Sequence, residues 1–98
     1  MDNATVEHDE TRSRYVLRQG GNTVAHADYT LQDGIITFTH TKVEPALEGQ
    51  GVGSKLAAFA LQDARKRGLR VVAACSFIAG YIDQHPEYAS LLQAGTGR

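Results

Sequence analysis

A glycine-rich segment near the middle of the chain is the feature whose residue types most directly suggest chemistry. Residues 48–54 read Glu-Gly-Gln-Gly-Val-Gly-Ser and lead from a β-rich segment into a helical pattern. Such a turn presents unpaired backbone N–H groups at a helix N-terminus, where the helix dipole adds partial positive charge. A phosphate is therefore a natural ligand, because Gly49, Gly51 and Gly53 keep side chains away from the backbone and Ser54 adds a hydroxyl donor.

The spacing within this segment excludes two common phosphate-binding motifs. The dinucleotide pattern Gly-x-Gly-x-x-Gly is satisfied at Gly49 and Gly51 but fails at Ser54. A Walker loop requires the order Gly-Lys-Ser/Thr, whereas this chain has Gly53, Ser54 and Lys55 in that order. A tight strand-to-helix turn without a ligand remains the structural alternative.

His40 is the first candidate for acid-base chemistry. It lies in the most β-prone segment of the chain, residues 35–43, and strict alternation predicts that it shares a face with Ile36 and Phe38. The structural alternative is a histidine buried beneath the helix with both ring nitrogens hydrogen-bonded.

Cys75 and Tyr81 are the other two candidates. Cys75 follows a nearly continuous apolar run and precedes a helix that Ser76 is expected to cap, a position where the helix dipole favours a thiolate. A small apolar residue filling the end of the sheet explains a lone cysteine equally well. Tyr81 lies within the same helix, where packing against Phe77 is an alternative to a chemical role.

The elements that must position these residues follow from hydrophobic periodicity. Strands are predicted at 5–7, 15–18, 25–31 and 35–43, with turns at Gly20-Gly21-Asn22 and Asp33-Gly34. A helix beginning near residue 52 and ending at Gly68 is followed by a buried parallel strand over 69–75, a short helix over 76–84 and a last helical turn from Pro86. The predicted class is α+β, an antiparallel meander that feeds one parallel strand-helix-strand unit.

Composition restricts the class of protein. A chain of 98 residues with 42% hydrophobic residues predicts one globular domain over 1–98, with 1–4 and 93–98 flexible. Its single cysteine and scattered histidines show no disulfide or structural zinc spacing, so we expect a reducing compartment and no metal. The sequence shows neither a leader peptide nor an apolar run of membrane-spanning length, which predicts a cytoplasmic protein. The one dense basic group, residues 65–70, has no interleaved aromatic residues, so nucleic acid is not an expected partner.

Four separated motifs together resemble one family. The glycine segment matches the GNAT acetyltransferase pattern Gln/Arg-x-x-Gly-x-Gly/Ala at every position except the first. The runs at 38–43, 49–56, 75–77 and 81–88 are similar, in this order, to the small GNAT-like proteins of about a hundred residues. The resemblance covers residues 13–92.

The resemblance implies a site for acetyl-coenzyme A. The coenzyme diphosphate would rest on the glycine segment, and the pantetheine arm would lie where the strand ending at Val43 and the strand ending at Cys75 separate. The cofactor-binding residues that this implies are Val43, Gly49, Gln50, Gly51, Val52, Gly53, Ser54 and Lys55.

The implied activity is transfer of acetyl from acetyl-CoA to an unidentified amine. The roles implied are His40 as general base, Cys75 close to the thioester and Tyr81 as a proton donor to the leaving sulfur. Direct transfer and a covalent Cys75 relay are both open, with direct transfer favoured. The alternative from another class is a non-catalytic module that binds coenzyme A, or that binds a peptide at a strand edge.

Two features depart from the family pattern. Glu48 stands where the family usually has Gln or Arg, and a carboxylate about 4 Å from a diphosphate costs about 1 kcal/mol per charge even in water-like surroundings. The chain also lacks the helices that shape an acceptor pocket in larger relatives. An open acceptor side is therefore expected.

Overall fold

The computed structural model describes residues 4–93 and contains one five-stranded sheet covered by two helices. The strands are β1 (Ala4–Asp9), β2 (Arg14–Gln19), β3 (Asn22–Gln32), β4 (Ile35–Val43) and β5 (Arg70–Ala73); the helices are α1 (Val52–Lys66) and α2 (Ser76–Gln84). Short 3-10 segments cover Glu10–Arg12, Pro45–Leu47 and Pro86–Leu91. The strands lie in chain order and pair antiparallel except for β4 and β5, which are parallel. The predicted α+β meander with one parallel unit is confirmed.

Two tight turns build the meander. Gly20 and Gly21 have φ values of +60° and +85°, and Asp33 and Gly34 have +54° and +78°. Two successive residues with positive φ match the right-handed twist of the flanking strands, which is why glycine and aspartate suit these positions. Both predicted hairpin turns are confirmed.

Both helices pack against the same face of the sheet, which we call the inner face. The largest fully buried side chains form one cluster there: Tyr15, Leu17, Ile36, Phe38, Leu56, Leu61, Val71 and Ile78. We call the opposite face, which carries His26, Asp28 and His40, the outer face. None of the helices in residues 4–93 is long and apolar enough to cross a membrane.

A β-bulge in β4 decides which residues face the helices. Tyr29 pairs with Phe38 and Asp28 pairs with His40, so Thr39 is an additional residue on β4. One additional residue reverses the alternation of side chains beyond it. The Thr39 hydroxyl donates to the backbone carbonyl of Asp28 at 3.4 Å.

The bulge moves His40 to the outer face. Phe38 is buried on the inner face, whereas His40 is exposed and its ring centroid lies 6.0 Å from that of His26 on the outer face. The prediction that His40 shares a face with Ile36 and Phe38 is therefore wrong. Strict alternation of faces holds only along an uninterrupted strand, and the bulge interrupts β4 before His40.

The chain ends bear on the predicted domain limits. Residues 1–3 and 94–98, within the predicted flexible ends, lie outside the described residues. Ala4 begins β1, and the Gln93 N–H donates to the Val71 carbonyl at 2.8 Å. Leu92 adds an isolated parallel bridge to Val71, so the last described segment lies beside β5.

Candidate active site

An open groove of about 470 Å³ lies where the glycine-rich segment leads from β4 into α1. Its walls are Thr41 and Val43 from β4, the backbone of the glycine segment, and Phe77 from α2. The volume falls within the range of small-molecule sites. A groove between a strand end and a helix N-terminus can hold an elongated anionic ligand.

The N-terminus of α1 supplies hydrogen-bond donors to this groove. Gly51 is the N-cap residue with φ +80°, and no side chain caps the helix. The Lys55 N–H donates to the Gly51 carbonyl at 3.0 Å, closing the first helical turn. The preceding amides of Val52, Gly53 and Ser54 have no intrahelical acceptor, as in any first turn, so they are donors for an anion.

The three glycines have different structural roles. A Cβ added to Gly53 would lie 2.6 Å from Cζ of Phe77, so this glycine makes room for the aromatic ring. Gly49 and Gly51 have φ values of +87° and +80°, and an added Cβ would meet nothing within 4 Å. At Gly53 the missing side chain makes room for Phe77, so open space beside the backbone is found only at Gly49 and Gly51 of these three glycines; that all three clear space for a diphosphate stays a prediction.

The predicted cofactor-binding residues divide between two sides of the loop. Five of the eight line the groove: Val43, Gly49, Gly51, Gly53 and Ser54. Gln50, Val52 and Lys55 line a separate depression next to Leu17 and Gln19, and only Gly51 lines both. Successive residues of a tight turn point in different directions, which is why a continuous stretch of sequence does not form one wall.

Glu48 also lines the groove and is exposed to solvent. A negatively charged side chain therefore belongs to the lining of the space that a ligand would occupy. Its charge therefore opposes an anionic ligand.

Cys75 lies behind the groove wall, in contact with Thr41. Its buried thiol donates to the Thr41 hydroxyl at 3.1 Å, and Thr41 lines the groove. Cys75 itself is the N-cap residue of α2, and its side chain makes no capping hydrogen bond. The prediction that Ser76 caps α2 is wrong, because Ser76 is already the first helical residue.

β4 and β5 separate beside this thiol. Their parallel pairing runs from Ile35↔Arg70 to Phe38↔Ala73, where β5 ends while β4 continues to Val43. Thr41 faces inward at this gap and the neighbouring His40 faces outward. The gap is thus flanked by a thiol and a hydroxyl on one face and by an imidazole on the other.

Tyr81 lines an adjoining depression of about 250 Å³ that shares Ser54 and Phe77 with the groove. Its ring stacks on His85 with centroids 4.0 Å apart, and His85 Nδ1 donates to the Tyr81 carbonyl at 3.0 Å. Burial raises the pKa of Tyr81, with smaller contributions from Tyr88 and Glu87, so the hydroxyl is protonated at neutral pH. Tyr81 can therefore act as a donor but is separated from the groove by Phe77.

The family model for GCN5-related N-acetyltransferases matches residues 14–91, which include the whole groove. This chain belongs to the GCN5-related N-acetyltransferase family. The match begins at β2 and ends within the last 3-10 segment, so it spans the meander, the glycine segment and both helices.

Similar proteins agree with this family. Protein NATD1 from Bos taurus is 30% identical over 93 residues, which cover 90% of this chain and 81% of that protein. The solution structure of a GCN5-like protein from Staphylococcus aureus has a TM-score of 0.74 and 26% identity, covering 100% of this chain and 96% of that one. An aminoglycoside N-acetyltransferase in complex with CoA has a TM-score of 0.53 and 17% identity, covering 87% and 61%. The last likeness shows the fold alone.

In this GCN5-related domain, sequence reasoning missed three features of the site. Thr41 was not singled out, although the bulge brings it to the cysteine. Phe77 was considered only as a packing partner of Tyr81, yet it separates the two depressions and is 39% exposed. The hydrogen bond between His26 and Asp28 was also missed, although residues two positions apart on a strand share a face, and that signal could have found it.

The described residues contain no group of three or more His, Cys, Asp or Glu side chains that could hold a metal ion. The donors that the groove does offer are backbone amides and hydroxyls, which suit an anion.

Proposed function

We propose that this protein is an acetyl-CoA-dependent N-acetyltransferase that acts on an amine. The observation that carries the proposal is a single groove connecting the uncapped amides of α1 with the gap where β4 leaves β5. The amides suit a diphosphate, and the gap gives a thioester access to both faces of the sheet.

The residues along the groove fit coenzyme A in three respects and oppose it in one. Gly49 and Gly51 have open space where side chains would be, Ser54 adds a hydroxyl, and Val43 offers an apolar wall. Glu48 is the opposing residue. The aminoglycoside N-acetyltransferase of the same fold is a CoA complex, which supports coenzyme A as the ligand class.

His40 is the proposed general base. The acceptor ammonium gives a proton to His40, and the free amine attacks the thioester carbonyl; the new C–N bond forms as the C–S bond breaks. Tyr81, in the adjoining depression beyond Phe77, is the proposed donor of the proton that the leaving thiolate takes up; the second proton, lost by the new amide nitrogen, restores its phenol. Because His40 faces outward, the acceptor would approach from the outer face while the coenzyme lies along the inner one.

Direct transfer is favoured over a relay through Cys75. Attack by the thiol would exchange one thioester for another and leave the amine still to be deprotonated. The Cys75 thiol is also buried, and its hydrogen-bond partner is the Thr41 hydroxyl.

Calorimetric titration with acetyl-CoA, followed by measurement of free thiol release with a panel of primary amines, tests the proposal. We expect binding and amine-dependent release. Binding without release for any amine would leave the coenzyme-binding module as the function. No binding at millimolar acetyl-CoA would exclude both the transferase and the coenzyme-binding module. Of the functions considered, only peptide binding would then be left.

Intact mass spectrometry tests the route of transfer. Wild-type protein incubated with acetyl-CoA and no acceptor should show no added acetyl group, and Cys75→Ala should keep most of the turnover. An adduct that disappears in Cys75→Ala together with turnover would establish the relay instead.

A further inference from the structure

The outer face of the sheet carries a cluster of titratable side chains beside His40 that the proposed transfer does not yet use. Asp28 is the direct cross-strand partner of His40, and His26 is the partner of Lys42. Residues directly opposite each other on neighbouring strands have side chains close enough to interact. The His26 and His40 ring centroids are 6.0 Å apart with the rings tilted by 47°.

Asp28 determines which nitrogen of His26 is protonated. Its Oδ1 lies 3.1 Å from His26 Nδ1 and 3.0 Å from Arg14 Nε. An ionised carboxylate only accepts hydrogen bonds, so His26 Nδ1 carries the proton and donates it. The ring then has Nε2 as a lone-pair acceptor. The charged groups around this ring are Arg14 from β2, Asp28 from β3 itself, and His40 and Lys42 from β4.

We propose that His26, oriented by Asp28, is a positioning residue for His40, an inference that rests on the proposed acetyl transfer. In this arrangement one water molecule joins the N–H of the His40 ring to His26 Nε2. The other nitrogen of His40 then keeps its lone pair toward the acceptor ammonium. When His40 takes the proton, the imidazolium forms next to the Asp28 carboxylate and later releases the proton to solvent.

The arrangement differs from an incidental surface contact in its geometry. His26 is partly buried, with only 20% of its side chain exposed, whereas His40 is exposed. Burial and the hydrogen bond to Asp28 restrict the ring of His26. The ring of His40 has no hydrogen-bond partner among residues 4–93 that would orient it. An exposed base gains most from a fixed neighbour, because its own rotamers are otherwise free.

A double-mutant cycle tests the coupling. His26→Gln should lower kcat about tenfold with KM for acetyl-CoA unchanged, a coupling of the size seen between neighbouring residues. In the His40→Ala background the same change should have no further effect on kcat. Asp28→Asn should behave like His26→Gln, and the control Thr30→Ala, on the same strand and face, should leave kcat unchanged.

Two outcomes would overturn the inference while leaving acetyl transfer intact. One is an unchanged kcat in His26→Gln, and the other is an equal loss with and without His40. Absence of amine-dependent thiol release in the wild type, with all amines, would instead remove the proposed function and this role with it.

NMR of protein carrying ¹⁵N-labelled histidine gives a second test that needs no turnover. His26 should show the tautomer with a proton on Nδ1 in the wild type and lose it in Asp28→Asn. A His26 ring with its proton on Nε2 in the wild type would contradict the proposed orientation.

Discussion

The two ends of α1 differ in whether their polar groups have hydrogen-bond partners within the protein. At its N-terminus the helix has no side-chain cap, and Gly53 and Ser54 line an open groove. At its C-terminus Asp63 accepts hydrogen bonds from Tyr15 and Arg67 in a network of side chains. Unsatisfied donors at a surface are available to a ligand, whereas satisfied donors in a partly buried network stabilise the fold.

The network at the C-terminal end joins three strands to the helix. The Tyr15 hydroxyl donates to Asp63 at 2.6 Å, and Arg67 Nε donates to the same carboxylate at 2.8 Å. His8 stacks on Tyr15 with centroids 4.2 Å apart, and its Nε2 lies 2.6 Å from the Tyr29 hydroxyl. Burial, reinforced by the hydrogen bond to Asp63, raises the pKa of Tyr15. The neutral phenol is therefore the form that this network stabilises.

The largest effect is expected at His40, beside the gap between β4 and β5. His40→Ala should lower kcat for amine acetylation by roughly 10²- to 10⁴-fold, the usual contribution of a general base. Its thermal midpoint should not change, because the side chain is exposed. Steady-state thiol release and a melting curve measure the two quantities. If His40→Ala keeps its rate with a competent amine, His40 is a surface residue without a role in catalysis.

At the C-terminal end of α1, the hydroxyl of Tyr15 should affect the stability of the fold and not the binding of acetyl-CoA. Tyr15→Phe removes a buried hydrogen bond to a carboxylate and should cost about 2 kcal/mol in the free energy of unfolding. Urea denaturation measures this, with Tyr88→Phe as the control, since its hydroxyl accepts only a neutral bond from Gln62. The acetyl-CoA affinity of Tyr15→Phe should equal that of the wild type. A large loss of affinity would mean that the two ends of α1 are coupled.

At the N-terminal end of α1, the charge of Glu48 should weaken the binding of acetyl-CoA. Glu48→Gln should tighten acetyl-CoA binding about fivefold, which corresponds to about 1 kcal/mol for one charge about 4 Å away in water-like surroundings. Calorimetry at low and moderate salt measures it, and the tightening should shrink as salt rises. Glu44→Gln is the matched control, because Glu44 is exposed and is not among the groove residues. Equal affinities in all three proteins would show that the Glu48 carboxylate does not meet the diphosphate.

His8 gives the smallest effect, a change of stability with pH. Burial, followed by the charge of Arg67, lowers the pKa of His8 below 6.5, although Asp63 and Glu10 act in the opposite direction. Arg67 Nη2 donates to His8 Nδ1 at 2.9 Å, which requires the neutral ring. The unfolded chain therefore binds this proton first, and stability falls as pH drops below about 6.5.

Urea midpoints at pH 8, 7, 6 and 5 test this sign. His8→Gln should show a shallower loss between pH 7 and 5 than the wild type. A steeper loss in the variant would mean that the carboxylates around His8 hold its proton in the folded state.

The family resemblance and the order of elements were available from the sequence alone. Residues that tolerate positive φ indicate the two hairpin turns. The glycine segment, together with the helical pattern after it, indicates the turn from β4 into α1. These signals are local, so a single chain segment carries them. The same local pattern predicted that His40, Cys75 and the glycine segment belong to one strand-helix-strand unit, but strict alternation assigned His40 to the wrong face.

Tertiary structure alone decided the face that His40 occupies. No glycine or proline marks the bulge at Thr39, so its presence depends on the pairing of β4 with β3, and that pairing sends His40 to the outer face beside His26 and Asp28. Gly53 meets Phe77 only because α2 folds back over the start of α1. Strand register and helix packing bring together residues 12 to 24 positions apart in these pairs, and no periodicity within one segment encodes such contacts.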